Sequence, residues 1–316
     1  MDVTVCICTH NRPRYVRDCI AGLNRQVPDL GGFAILLVDS GSTGSVPAEL
    51  AVIAASAPNI RLIRLEQAGV SLARNAAAHA AATRFIAYID DDAIPAPDWI
   101  ATIHRALSDA GGSAAVIGGR ILPRWEAPLP SWWPPSLRGV LSIIEHEGQG
   151  EYRSSALPTG LEPYAANMIV DAQALLRSGG FGGTLGRHGT ALLSDEDVQL
   201  ACKLQDQGFS VRYDSRITVY HQIQAQRLNP VWLLNRLFWQ GASTVLTRRT
   251  LGYHRAVWHE LPRRVLVGLL YAPTALLPRR STRLLELRWR HAYAIGFVRT
   301  ALGWQATRAA ARAHPR

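Results

Sequence analysis

The chain has 316 residues, 48% of them apolar, which is enough to bury one large α/β domain plus an additional element and excludes a disordered chain. Its net charge of +10 is unevenly placed: residues 1–226 hold 18 Lys+Arg against 22 Asp+Glu, whereas residues 227–316 hold 16 Arg against only Glu260 and Glu286. Cys6, Cys8, Cys19 and Cys202 have neither zinc-ligand spacing nor a disulfide framework, and no apolar run reaches the ~20 residues of a spanning helix, so reduced thiols in a cytoplasmic protein are expected.

In chain order, Val3–Thr9 is an apolar, β-branched run and predicts a buried strand, with Cys6 and Cys8 on one face. His10-Asn11-Arg12-Pro13 breaks it, and Tyr15 to Leu23 has helical spacing. Phe33–Val38 predicts a second strand, ending at Asp39-Ser40-Gly41-Ser42, and Ile60–Leu65 a third. An alanine-rich helix follows through Ala82, with Ser71 as its expected N-cap. Phe85–Ile89 is a fourth strand running into Asp90-Asp91-Asp92, followed by a helix over 98–110 and a strand over 116–122. Residues 123–135, rich in Pro and Trp, predict an irregular loop. Farther on come a glycine-rich stretch over 179–189, a helix over 194–208, and two short strands, Val211–Tyr213 and Ile217–His221. From Leu228 the pattern is helical and basic, broken at Pro262, Pro273 and Pro278.

Strands alternating with helices predict a mainly parallel, doubly wound sheet. Ligands of such sheets bind beyond the carboxyl ends of the strands. Here those ends carry Thr9, Asp39 and Asp90 to Asp92.

Three consecutive carboxylates repel one another unless a positive group neutralises them. A divalent cation that prefers oxygen ligands, Mn²⁺ or Mg²⁺, does so while sharing substrate phosphates. A solvated acidic turn is the plainer account. Ser194-Asp195-Glu196-Asp197 supplies more carboxylates than a helix cap needs, so one of them is a candidate general base toward a hydroxyl. Arg74, in the first turn of a helix starting at the ligand edge, suits diphosphate recognition. His221 ends the last strand-like run. There is no phosphate-binding P-loop, no dinucleotide fingerprint and no nucleophile elbow, which argues against P-loop NTPases, NAD enzymes and α/β-hydrolases.

The order of these segments resembles the family 2 glycosyltransferases of GT-A fold: VTVCICTHNR (3–12), LVDSGST (37–43), Ala73-Arg74-Asn75, YIDDD (88–92), SDEDVQL (194–200) and Val219-Tyr220-His221. The resemblance covers about residues 2 to 225. It implies an α/β GT-A nucleotide-diphospho-sugar transferase domain over 1–225, followed by a basic helical C-terminal region over 226–316. It further implies inverting, metal-dependent transfer of one sugar from a nucleotide-diphosphate sugar, a UDP-sugar first, to an acceptor hydroxyl.

By the same resemblance Thr9, Asn11, Arg12 and Ser42 line the nucleotide site and Asp39 contacts the base. Arg74 and Asp90 lie by the nucleotide or diphosphate, and Asp91 lies by the ribose. Asp92 and His221 belong to an Mn²⁺ or Mg²⁺ site, and Asp197 is the catalytic base. Asp195, in a place where glycine is common, is a rival base. Asp195, Glu196, Trp132 and Trp133 fall on the acceptor side.

The Q-x-x-R-W motif of processive synthases is missing, although Trp239-Gln240 lies near the relevant distance, so single transfer is expected over polymerisation. The expected acceptor is a glycan, a lipid-linked sugar or a small-molecule hydroxyl. The basic, Trp-bearing C-terminal region points to an anionic membrane surface ahead of nucleic acid, hence to a peripheral place on the cytoplasmic face. A nucleotidyltransferase acting on sugar phosphates and a non-catalytic nucleotide-sugar-binding protein are the alternative readings.

Overall fold

The computed structural model describes residues 3–27, 32–111, 114–153, 160–187, 191–277 and 284–303. The expected break at Pro278, the end of the glycine-rich stretch and Arg279, Arg280, Arg283, Arg308, Arg312 and Arg316 lie outside them. The chain forms two units. The first takes residues 1–124, 141–182 and 197–223; the second takes 125–140, 183–196 and 224–316.

The first unit alternates strands and helices. In chain order these are β1 (Val3–Thr9), α1 (Pro13–Leu23), β2 (Ala34–Ser40), α2 (Val46–Ala54), β3 (Ile60–Leu65), α3 (Val70–Ala80), β4 (Phe85–Asp90), β5 (Ala93–Pro95) and α4 (Trp99–Asp109). They continue with β6 (Ala114–Trp125), β7 (Gln149–Glu151), β8 (Asn167–Asp171), α5 (Ala172–Arg177), α6 (Glu196–Asp206) and β9 (Ser210–Ile223). The sheet order is β3-β2-β1-β4-β8-β6-β9-β5, with β7 beside β9.

The sheet is mixed rather than mainly parallel. β1 to β4 pair in parallel, as the alternation predicts. On the other side of β4, the pairs β4–β8, β6–β8, β5–β9 and β7–β9 are antiparallel. A parallel neighbour needs a crossover of a dozen or more residues. Only Asp91 and Asp92 separate β4 from β5, so β5 cannot return as a parallel neighbour of β4 and instead pairs with β9.

Period-two alternation sends successive side chains of β1 into two cores. Val3, Val5 and Ile7 join Val16, Ile20 and Leu23 of α1 and Trp99, Ile103 and Leu107 of α4. Cys6, on the other face, joins Ala73 and Ala77 of α3 and Leu200 and Leu204 of α6. Strands buried on both faces read as continuous apolar runs, which is how β1, β2 and β4 appear in the sequence. Cys6 and Cys8 do share a face, Sγ to Sγ 3.7 Å, and all four cysteines are free thiols.

Several boundaries differ from expectation for local reasons. Ser71 is buried inside α3 rather than capping it; Gly69 is the N-cap, and its backbone N–H donates to the Ser40 hydroxyl at 2.8 Å. The helix over 194–208 begins only at Glu196, because Asp195 has φ +73°, which no α-helical residue adopts. The two short strands expected over 211–221 are one, β9, since β7 pairs across the gap, Gln149 opposite Asp214. The strand expected over 116–122 extends to Trp125, well into the segment expected to be loop.

The second unit is built on α7 (Pro230–Thr250), α8 (His254–Tyr271) and α9 (Leu285–Ala301). Asn229 caps α7, its side chain accepting from the Trp232 N–H at 2.9 Å, with Pro230 at the first helical position. Pro262 lies inside α8 and does not end it; the residue is exposed, so its ring meets solvent rather than a packed neighbour. No helix among the described residues is long and apolar enough to cross a membrane.

α7 and α9 touch backbone to backbone. A Cβ on Gly296 would sit 1.8 Å from the Phe238 carbonyl oxygen, and one on Gly241 would sit 2.1 Å from the Tyr293 carbonyl oxygen. Overpacking such a contact costs about 1–3 kcal/mol or more. Gly296→Ala is therefore expected to lower the melting temperature by several degrees in a calorimetric scan, and an unchanged transition would contradict this packing.

Candidate active site

The parallel half of the sheet gathers its strand ends on one edge. Thr9 lies opposite Asp39 in the β1–β2 register, and Cys8 lies opposite Asp90 in the β1–β4 register. The loops after β1 and β2 are tied together. The Asn11 backbone N–H donates to the Ser42 hydroxyl at 2.8 Å, and the Asn11 side-chain oxygen accepts from the Thr43 N–H at 2.9 Å. Asn11 has φ +56°, a conformation Asn tolerates better than most residues. Ser42 in turn donates its backbone N–H to Asp39 Oδ1 at 2.9 Å. Thus Asn11 and Ser42 shape the floor that holds Asp39.

Asp39 is buried, and its other oxygen, Oδ2, has no hydrogen-bond donor among the described residues; the nearest cation is Arg64, Nε at 4.0 Å. A buried carboxylate oxygen left unpaired costs free energy that a donor from a ligand would recover.

The triple aspartate divides its partners. Asp90 receives Arg74 Nη2 at 3.3 Å; Arg74 is buried, with its guanidinium 5.4 Å above the Phe181 ring. Asp91 accepts the Thr9 hydroxyl at 2.7 Å and faces Arg12 Nη1 at 3.2 Å. Burial pushes the Asp91 carboxyl up to about 7, with the Arg12 charge opposing, the Asp92 charge adding and the Thr9 hydrogen bond opposing. Asp92 is paired with the other amino group of Arg12 and lies 3.2 Å from His221 Nε2. Arg12 itself stacks on Tyr15, 4.8 Å from the ring centre.

His221 reaches Asp92 because β5 and β9 pair with Ala93 opposite His221, a register continued by the Gln222 N–H donating to the Asp92 carbonyl at 2.7 Å. The Nδ1 atom of His221 lies 2.9 Å from the Leu141 carbonyl, which only accepts, so Nδ1 carries the hydrogen. In the neutral ring, Nε2 then presents a lone pair to a carboxylate oxygen. Two acceptors facing each other at 3.2 Å call for a proton or a cation between them, and a histidine oriented by a carbonyl is the usual arrangement of a metal ligand.

Asp197 is the second residue of α6 and is buried. Its Oδ2 accepts the Ala165 N–H at 3.0 Å and its Oδ1 accepts the Val198 N–H at 2.8 Å. Ala165 lies two residues before Asn167, which is opposite Ile89 in the antiparallel β4–β8 register. Asp197 is thereby held at the same sheet edge, beyond the carboxyl end of β4.

In the second unit, Asp195 is enclosed by a network of its own. Gln240 Nε2 donates to both of its oxygens, at 3.0 and 2.9 Å, and the Ser194 hydroxyl donates to Oδ1 at 2.9 Å. Arg236 reaches the Ser194 hydroxyl at 3.1 Å. Burial pushes the Asp195 carboxyl up, with Gln240 and Arg236 opposing. Glu196 is buried beside it in sequence. Trp132 and Trp133 lie 5.5 Å apart between ring centres; Trp133 is buried and Trp132 half-buried, leaving Trp132 the more available face.

Several groups here were not foreseen: the Leu141 carbonyl behind His221, the Ala165 amide on Asp197, Arg64 near Asp39, and the Arg236–Gln240 pair around Asp195. The first two are backbone atoms, which carry no side-chain signal. Tyr15 was legible in principle, three residues after Arg12 at the start of a helix, where such residues stack.

The family model "Glycosyl transferase family 2" matches residues 4–155. The chain is 29% identical over 179 residues to a glucosyl-dolichyl phosphate glucuronosyltransferase of Haloferax volcanii, covering 56% of this chain and 55% of that protein. It is 27% identical over 237 residues to a pre-mycofactocin glycosyltransferase of Mycobacterium tuberculosis, covering 74% of this chain and 46% of that protein. The chain thus spans about half the length of these two relatives. Among solved structures, it is similar to the mannosyltransferase PcManGT from Pyrobaculum calidifontis, in complex with GDP-Man and Mn²⁺, at a TM-score of 0.56 and 17% identity, over 99% of this chain and 76% of that one. That likeness establishes the fold, a mixed α/β sheet of GT-A type with a helical C-terminal region. The match to glycosyl transferase family 2 covers residues 4–155, just under half of the chain.

Proposed function

We propose that the chain transfers a single sugar, with inversion, from a nucleotide-diphosphate sugar to an acceptor hydroxyl, assisted by Mn²⁺ or Mg²⁺. The observation that carries this reading is the gathering of Asp39, Asp92, His221 and Asp197 at one sheet edge from four distant points of the sequence. Asp39 Oδ2 can accept an N–H of the base, such as the one uracil offers in a UDP-sugar. Asp92 Oδ1 and His221 Nε2 supply the oxygen and imidazole donors that suit Mn²⁺ or Mg²⁺, and among the described residues no third His, Cys, Asp or Glu completes the set. Diphosphate oxygens would supply the remaining ligands. Bound there, the cation supplies charge stabilisation for the departing diphosphate.

The chain's own residues supply the rest. Asp197, oriented by the Ala165 and Val198 amides, takes the proton of the acceptor hydroxyl. The acceptor oxygen forms a bond to the anomeric carbon on the face opposite the diphosphate, whose oxygen leaves with the electron pair. Asp195, whose oxygens are held by Gln240 and Ser194, is the rival base. Arg74 holds Asp90, and Arg12 neutralises Asp91 and Asp92 until a donor and cation enter. Trp132 is the aromatic face we assign to the acceptor side.

The Haloferax volcanii relative is named for a glucosyl-dolichyl phosphate, and the arginine-rich helices of this chain favour the same class, a lipid-linked sugar, for the acceptor. Differential scanning fluorimetry with UDP-, GDP- and other nucleotide sugars, each with and without MnCl₂, tests the donor side. A ligand present at 100 times its dissociation constant stabilises the folded state by ~2.7 kcal/mol. A metal-dependent rise with one nucleotide-sugar class is expected; no rise with any of them would refute the reading.

A further inference from the structure

The outward face of α8 carries an apolar row that no element of its own unit covers among the described residues. Trp258 is 56% exposed, Leu266 65%, Leu269 70% and Leu270 63%, with Val265 also exposed. At 100° per residue these five side chains, together with exposed Pro262, fall within one arc of the helix. The opposite face is spent on packing. Val257 is buried with Val245 and Phe297, Gly268 lets Ile295 approach, and the His291 ring donates to the Gly268 carbonyl at 2.9 Å.

The charge along this face is sorted. Arg255, His259 and Arg263 are exposed and all precede the exposed leucines, Leu266, Leu269 and Leu270, along α8. The segment 227–316 contains only two carboxylates. Both are committed: Glu260 bridges Arg248 and Arg264, and Glu286 pairs with Arg290 at 2.7 Å. A face of leucines and one Trp bordered by uncompensated arginines complements a surface that is anionic at its boundary and apolar beneath. Anionic bilayers have this profile, and interfacial helices are built this way. A protein partner with a purely apolar groove would leave the arginines without a counter-charge.

We infer that α8 is a membrane-docking helix, inserting Leu266, Leu269 and Leu270 below the phosphates of an anionic leaflet while Arg255 and Arg263 bind the phosphates and Trp258 sits at the boundary. This goes beyond the transfer reading, and vesicle binding is measured without transfer, so either can fail alone.

The test is co-sedimentation of the full chain with vesicles of phosphatidylcholine alone and with about 30% phosphatidylglycerol. Wild type is expected to pellet with the anionic vesicles at least ten times more strongly than with the neutral ones, and less as salt is raised. The surface variant Leu266→Glu/Leu269→Glu should keep its melting temperature and lose the binding. Arg255→Ala/Arg263→Ala should weaken it several-fold on anionic vesicles only. The proposal is overturned if wild type ignores anionic vesicles, if the double leucine variant still pellets, or if light scattering shows a dimer that Leu269→Glu disperses, which would assign the face to a second copy of the chain.

Discussion

Asp197→Asn is expected to cut transfer by ~10²–10⁴, the usual contribution of a positioned general base, while nucleotide-sugar affinity stays within a few-fold of wild type. The separation follows from geometry. Asn keeps the shape of the side chain, and its Oδ1 can still accept one of the two amides, Ala165 or Val198, that orient Asp197. What disappears is the ability to take a proton. Single-turnover measurement of transfer, paired with calorimetric titration of the donor, separates the two effects. Transfer at the wild-type rate would refute Asp197 as the base. The parallel variant Asp195→Asn addresses the rival assignment: a loss confined to that variant would move the role to Asp195 and its Gln240 partner.

Asp92→Ala is expected to abolish the dependence of donor binding on Mn²⁺. Disturbing a residue that merely orients a metal ligand costs about 10–100-fold in metal affinity, so removing a direct ligand should exceed that. Titration of MnCl₂ in the presence of UDP, followed by electron paramagnetic resonance, reads the cation without reference to turnover. Asp92 also neutralises Arg12 and faces His221, so the circular dichroism melt must be compared. A folded Asp92→Ala protein that binds Mn²⁺ with wild-type affinity would dismiss the site, as would equal donor affinity of the wild type with and without EDTA.

The parallel half of the sheet was legible because its strands are buried on both faces and read as unbroken apolar runs bounded by polar turns. Those same boundaries placed Thr9, Asp39 and Asp90 at the ligand edge, and the register confirms that they are neighbours. The antiparallel half was not legible. Its pairings join β8, β6 and β9 across long sequence separations, and nothing local in Asn167–Asp171 states that it lies beside Phe85–Asp90. The start of α6 was misplaced because propensity treats Asp195 as an ordinary helix-start residue, whereas its backbone is left-handed. The glycine expected at that place by the family resemblance has its physical explanation here: the position needs a positive φ, and this chain meets the need with an aspartate clasped by Gln240. Within the site, side chains announced themselves and backbone partners did not. Asp197 could be nominated from SDEDVQL, but that the amide of Ala165 would fix its direction could not.

The two glycines where α7 and α9 meet carry a consequence for how the C-terminal helices tolerate change. Main chains in direct contact leave no side-chain cushion to absorb a slip, so sliding one helix by a single residue would drive Phe297 or Ile295 into the notch now filled by Gly296. Insertions or deletions inside either helix should therefore be far more harmful than substitutions on its outer surface, and length polymorphism belongs in the connections between them.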